Sequence, residues 1–200
     1  MQRIGFVVSP GFRVMSFAVA SVFEFANVEM SEPVYDVHLL SETGGSVRTS
    51  IGVSVATEPF DDTNFDTLIV GRGTQPPTPG LIEFVRRAPG RCRRVAATCL
   101  GAFVLAEAGL LDGRRATTNK RAFKWVAEQG AKVNWIREAR WVEDGKFATS
   151  SGVSAGIDMA LAVMARLYGA DTAEQIAIAM EYEWHRDARW DPFAKIHGLV

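Results

Sequence analysis

The chain has 200 residues, 48% of them hydrophobic and 22% charged, with a formal net charge of -1. That length suits one α/β domain with a sizeable core, and the charge balance excludes a global field that would draw in nucleic acid or an anionic membrane. No uncharged apolar run approaches the ~18 residues of a membrane span. The short apolar start, Ile4 to Val8, is broken by Pro10-Gly11 without a cleavage-type site after it, so no signal peptide is expected.

In chain order, Ile4 to Val8 reads as a buried parallel strand, and Pro10-Gly11 as a turn. From Phe12 to Met30 apolar residues recur at helical spacing, with Phe17, Val22, Phe25 and Val28 among them. Tyr35 to Leu40 alternates like a strand and makes His38 a satisfied sheet residue. Thr43-Gly44-Gly45 is expected to turn, and Val47 to Val55 to form a short hairpin. Phe65 to Val70 is another buried strand. It feeds Gly71-Arg72-Gly73-Thr74-Gln75-Pro76-Pro77, a loop too rich in Gly and Pro for regular structure.

Leu81 to Arg87 reads as a short helix and Val95 to Thr98 as a central strand. Arg86, Arg87, Arg91, Arg93 and Arg94 cluster without interleaved aromatics, which indicates a solvated helix end and loop rather than a nucleic-acid surface. Beyond a helix after Cys99, Phe123 to Glu128 is helical and Trp141 to Thr149 is a hairpin about Asp144-Gly145. Ser154 to Tyr168 is an apolar helix stopped by Gly169, and Thr172 to Met180 is the last helix. The tail from Glu183 to Val200 has no clear period; its Trp184, Trp190 and Phe193 are expected to cover the core or a dimer partner. Glu181, Glu183, His185 and Asp187 match no metal-ligand spacing, and neither a metal nor another cofactor is expected. Strands alternating with helices imply a mostly parallel sheet covered on both faces, in a single domain.

Two cysteines stand seven positions apart, Cys92 and Cys99. Read as one extended segment, they are roughly 20 Å apart, too far for a disulfide. Free thiols point to a reducing, cytoplasmic setting. Cys92 reads as structural. Cys99 is different, because the strand-like run Arg93 to Thr98 passes through it directly into the helix-like run Leu100 to Ala108. Such a junction sits at the carboxyl edge of a sheet, where open α/β folds bind ligands. The pattern is that of a nucleophile elbow with cysteine in place of serine, and a helix N-terminus there favours a thiolate.

The run Ala97-Thr98-Cys99-Leu100-Gly101-Ala102-Phe103-Val104-Leu105-Ala106-Glu107-Ala108-Gly109-Leu110-Leu111-Asp112-Gly113-Arg114-Arg115-Ala116-Thr117-Thr118 closely resembles the elbow segment of the ThiJ/PfpI superfamily of class I glutamine-amidotransferase-like proteins. Ser151-Gly152-Val153-Ser154-Ala155-Gly156-Ile157-Asp158 resembles a second stretch typical of that superfamily. The resemblance implies a flavodoxin-like three-layer α/β sandwich and a homodimer. Two branches look nearest: isonitrile hydratases, and the sensor domain that AraC-type transcription regulators carry ahead of a helix-turn-helix module. The segment from Pro10 to Ala18 looks more like the regulators, and that from Tyr182 to Phe193 more like stand-alone members. No DNA-binding module falls within the 200 residues, so the expectation is a stand-alone protein or the sensor part of a longer chain that would meet nucleic acid through another module.

The resemblance makes Cys99 the nucleophile or the oxidisable thiol. It makes the backbone N–H groups of Leu100 and Arg72 an oxyanion hole, with Gly71 and Gly73 allowing close approach. Ser16 and Asn119 are candidates to orient substrate or water. Where this chain departs from the pattern, it loses acids and bases. Ser16 stands where isonitrile hydratases carry an acid, Leu100 where they often carry Thr, and Val22 near where many members carry a Glu that touches the thiol. Asn119 replaces a frequent His. Arg72 replaces the second glycine of the usual Gly-Gly loop, which implies either backbone strain or a cation reaching over the pocket. Two functions follow as expectations. One is a cysteine-dependent hydratase or hydrolase-like enzyme acting on a small electrophilic carbon, lacking proton-transfer help worth roughly 10²–10⁴ in rate. The other is a small-molecule sensor, with a redox or stress role through oxidation of Cys99 as a further alternative.

Overall fold

A computed structural model describes residues 1–200. In chain order it contains β1 (Gln2–Val7), a 3-10 turn (Val14–Phe17) leading into α1 (Ala18–Glu29), β2 (Tyr35–Ser41), β3 (Thr43–Arg48) and β4 (Ser54–Pro59). Next come β5 (Thr67–Val70), α2 (Pro79–Arg87), β6 (Arg94–Thr98), α3 (Gly101–Glu107), β7 (Arg115–Ala116), α4 (Phe123–Gln129) and β8 (Asn134–Trp135). The chain continues through β9 (Trp141–Asp144), β10 (Phe147–Ser150), α5 (Ala155–Tyr168), α6 (Ala170–Ala179) and α7 (Pro192–Ile196).

Eight strands form one sheet in the order β3-β4-β2-β1-β5-β6-β10-β9, while β7 and β8 pair separately. The six central strands are parallel, and antiparallel β3 and β9 close the two edges. Side chains alternate across this sheet with period two. Ile4, Phe6, Ile69, Ala96 and Ala148 pack with residues of α1, α5 and α6. Val7, Leu68, Val70, Val95 and Ala97 pack with α2 and α3 on the other face. The result is the mostly parallel, flavodoxin-like sandwich anticipated from the alternation of elements. β1 feeds β2 on one side and β5 lies on the other, so the loops after β1 and β5 diverge at a topological switch point, the usual ligand position in such sheets.

Three sequence expectations need correction. Thr43-Gly44-Gly45 is part of β3, not a turn. Gly44 and Gly45 do take positive φ values of 68° and 79°, the turn-like freedom that the sequence suggested, but pairing of Gly45 with Thr57 keeps them in the ladder. The aperiodic tail contains α7, whose N-terminus is capped by Asp191 Oδ1 accepting from the Phe193 N–H at 3.0 Å. Cys92 does not share an extended segment with Cys99; it lies ahead of β6, buried in the α2/α3 core. Burial pushes its thiol upward, consistent with a structural role.

His38 is a paired sheet residue, 2.8 Å from both Asp36 and Glu58. Burial alone would lower its pKa, but hydrogen bonds and charge from Glu58 and Asp36 together leave it raised above 6.5. A raised folded value means the contribution of this group to stability is complete below the unfolded pKa and is lost as pH rises through the folded one. NMR titration of His38 is expected to give a value above 6.5 that falls in Glu58→Gln. A wild-type value at or below 6.5 contradicts the pairing.

Candidate functional site at Cys99

β6 ends at Thr98 and α3 begins at Gly101, so Cys99 and Leu100 make the whole strand-to-helix turn. Cys99 takes a φ of 55°, a left-handed conformation rare for a residue other than glycine. Several contacts enforce this turn. Thr118 Oγ1 donates to the Cys99 carbonyl at 2.9 Å. Gly101 approaches the β5 backbone so closely that a Cβ there would lie 1.9 Å from the Val70 carbonyl oxygen. Gly156 at the start of α5 lets that helix come down onto Thr98 and Val19.

The turn opens onto a cavity of about 210 Å³ whose walls come from three loops at the carboxyl edge: Arg13 and Ser16 after β1, Arg72 and Gly73 after β5, and Val153 after β10. Cys99, Leu100 and Thr98 form its floor. Thus Cys99, Leu100, Arg72, Gly73 and Ser16, all singled out from the sequence, do converge. Gly71 does not line the cavity; it is buried behind Gly101. Asn119 reaches the thiol from outside the cavity wall. Its Oδ1 accepts from the Ala122 N–H at 3.2 Å, and its side chain acts to lower the Cys99 pKa.

Arg72 shows neither a positive φ nor the strain that its replacement of a glycine suggested. Instead its guanidinium lies over the adjoining rings of Phe103 and Trp125, 5.2 and 5.4 Å from their centroids. Its buried Nε has no hydrogen-bond partner. The close-approach residue of this loop is Gly73, where a Cβ would meet the Pro10 carbonyl oxygen at 2.1 Å.

Burial raises the Cys99 thiol above its ordinary value. The Leu100 N–H and Asn119 hydrogen bonds, with charge from Arg13 and Arg72, oppose that rise without reversing it. The helix terminus therefore does not lower this thiol as the sequence suggests. Water is excluded on most sides of the sulfur, and losing that solvation outweighs the donors. No Asp, Glu or His lines the cavity, so no group there can take the proton in an ordinary acid–base step.

The DJ-1/PfpI family model matches residues 6–166. The chain belongs to the DJ-1/PfpI family. Within that family it is 35% identical over 184 residues to the HTH-type transcriptional regulator CdhR of Pseudomonas aeruginosa, covering 88% of this chain and 54% of the regulator. It is 32% identical over 186 residues to the isonitrile hydratase of Pseudomonas putida, covering 90% of this chain and 78% of the enzyme. The chain spans about half the length of the curated regulators it matches. A crystal structure of an AraC family transcriptional regulator from Pseudomonas putida superposes with a TM-score of 0.80 at 21% identity, over 90% of this chain and 100% of that one; at that identity the likeness concerns the fold.

Arg13 and Val153 line this cavity, although the sequence reading assigned them no role. Both stand in loops that follow parallel strands, so the carboxyl-edge rule could have found them. No such signal existed for the stacking of Arg72 on Trp125, which depends on where α4 packs.

Proposed function

We propose that residues 1–200 form one domain that binds a small, anionic molecule at Cys99 and serves as the sensor part of a transcription regulator. The observation that carries this reading is the make-up of the 210 Å³ cavity: two arginines, Arg13 and Arg72, with hydroxyls and a thiol whose pKa burial raises, and no carboxylate or imidazole. Such a site attracts and orients an acid but has no base to turn it over. The similarity to the regulator CdhR supports the same reading. Contact with DNA would be made by a segment beyond these residues, the assembly would be a homodimer, and the free thiols suit the cytoplasm.

The strained turn at Cys99 favours a second reading. Its geometry is that of a nucleophile elbow, the Leu100 N–H acts to lower the Cys99 pKa, and the isonitrile hydratase relative matches 90% of the chain. In that reading Cys99 attacks an electrophilic carbon while the N–H groups of Leu100 and Arg72 hold the developing charge.

One experiment separates the two. Under the sensor reading, cyclohexyl isocyanide incubated with the protein yields no formamide above buffer. Iodoacetamide labels Cys99 slowly at pH 7, and the rate is still climbing past the ~8.5 of a free thiol. Within a panel of small carboxylates, at least one raises Tm and shields Cys99 from labelling, and both effects disappear in Arg13→Ala/Arg72→Ala. Formamide production that Cys99→Ser removes would overturn the sensor reading in favour of the enzyme.

A further inference from the structure

The basic cluster around β6 leaves one cation without a partner. Arg86 pairs with Glu83, Arg87 and Arg91 with Asp62, and Arg93 with Asp66, as a solvated surface should. Arg94 behaves differently. It is half-buried, its backbone N–H bonds the Asp66 carbonyl, and its side chain has no ion pair or hydrogen bond within the protein. Residues two apart on a strand share a face. Arg94, Ala96 and Thr98 therefore point beneath α1 and α5, while their neighbours Val95 and Ala97 point to the α2/α3 side.

Beside Arg94 the sheet and those two helices enclose a second cavity, of about 410 Å³. Its walls are mostly apolar and include Phe23 of α1, Ile69 of β5 and Leu167 of α5, with Gln2, Tyr35 and Thr67 as polar members. The space exists because Ala96, Ala148 and Ala160 meet there, where the rest of the same layer is filled by side chains such as Ile4, Phe6 and Leu161. The mouth, at the amino-terminal edge of the sheet, carries Arg93, Arg94, Lys146 and Arg166 against one acid, Glu143. Glu143 is already held by Arg166 at 2.8 Å, and the Lys146 ammonium donates to the carbonyls of Pro89 and Cys92 at 2.6 and 2.8 Å. Arg94 is left as a free guanidinium over an apolar chamber.

We propose that this chamber is a second ligand site, at the opposite edge of the sheet from Cys99, for a small amphipathic carboxylate. The apolar body lies beneath α1 and α5, and the carboxylate meets the Arg94 guanidinium, whose planar donors match its two oxygens. The volume falls within the usual range for small-molecule sites, and the mostly apolar walls offer water few hydrogen bonds. The same helices frame the Cys99 cavity: Ser16 sits in the turn entering α1 and Val153 just ahead of α5. An occupant here braces both. The proposal stands apart from the reading of Cys99.

The test is isothermal titration of the intact chain with octanoate below its aggregation range, with 1-octanol as the uncharged control. Octanoate is expected to bind saturably at one site per chain, and equally well to Cys99→Ser. Arg94→Gln weakens octanoate at least tenfold and leaves 1-octanol unchanged. Ala160→Leu fills the chamber and removes both, with Tm unchanged or higher. The proposal is overturned if wild-type protein shows no saturable octanoate binding, if Arg94→Gln binds octanoate as tightly as wild type, or if Cys99→Ser abolishes binding. The Arg94 arm decides the matter even where Ala160→Leu fails to fold.

Discussion

Asp158→Ala is expected to lower the stability of the chain by about 3–5 kcal/mol, the cost of leaving a buried charge unpaired. Asp158 is fully buried near the start of α5, and it accepts from Arg140 Nε at 2.7 Å and stands 2.6 Å from Arg140 Nη2. It also accepts from the Tyr182 hydroxyl at 3.0 Å and the His185 N–H at 2.9 Å. One carboxylate thus ties together β9, α5 and the segment that leads to α7. Removing it strands the Arg140 guanidinium, whose side chain is 6% exposed and whose nearest other carboxylate is Asp191 at 3.9 Å. Urea unfolding measures the loss, and a cost below ~1 kcal/mol, the ordinary value of an exposed pair, contradicts the account. A second readout is local. Burial, together with the charge and hydrogen bond of Asp158, pushes the Tyr182 phenol up to about 12, so its titration should move down in the variant. Arg140→Met/Asp158→Leu should lose less than Asp158→Ala, because it removes both charges rather than one.

Gly101→Ala is expected to cost at least the ~1–3 kcal/mol of an overpacked core, and to displace Cys99 as well. The added Cβ would fall 1.9 Å from the Val70 carbonyl oxygen and 3.3 Å from the Gly71 Cα. Both are backbone atoms in the central β5 strand and its loop, so neither can swing aside as a side chain would. α3 must lift away from the sheet, carrying Leu100 and the thiol with it. The measurable signs are lower urea stability and an altered rate of Cys99 alkylation relative to Cys92. Gly90→Ala is the matched control. Nothing lies within 4 Å of a Cβ there and its φ is not positive, so its effect should stay within about 0.5 kcal/mol. Equal losses in the two variants would refute the steric account.

Features carried by neighbouring residues were legible in the sequence. The run from Val95 through Cys99 to Ala108 announces strand, sharp turn and helix, because period and breaker residues are local properties. The Gly71–Gly73 loop and the Asp144-Gly145 hairpin were readable for the same reason. Gly44 and Gly45 misled because their backbone freedom is local while their pairing with β4 is not. Arg94 was grouped with its solvated neighbours because spacing along the chain cannot say which arginines find carboxylates; Asp62 and Asp66 lie some thirty residues upstream.

By itself the sequence determined the layered α/β architecture, the position of Cys99 at the carboxyl edge of a parallel strand, and the shortage of acids and bases around it, since each follows from residue identity and short-range pattern. The tertiary structure decided the protonation preference of that thiol, the stacking of Arg72 on Phe103 and Trp125, the Arg140–Asp158 pair and the chamber beside Arg94. Each of these depends on desolvation or on contact between segments distant in the chain. Burial is a sum over everything packed around a group, and the sum is fixed only when the helices close over the sheet.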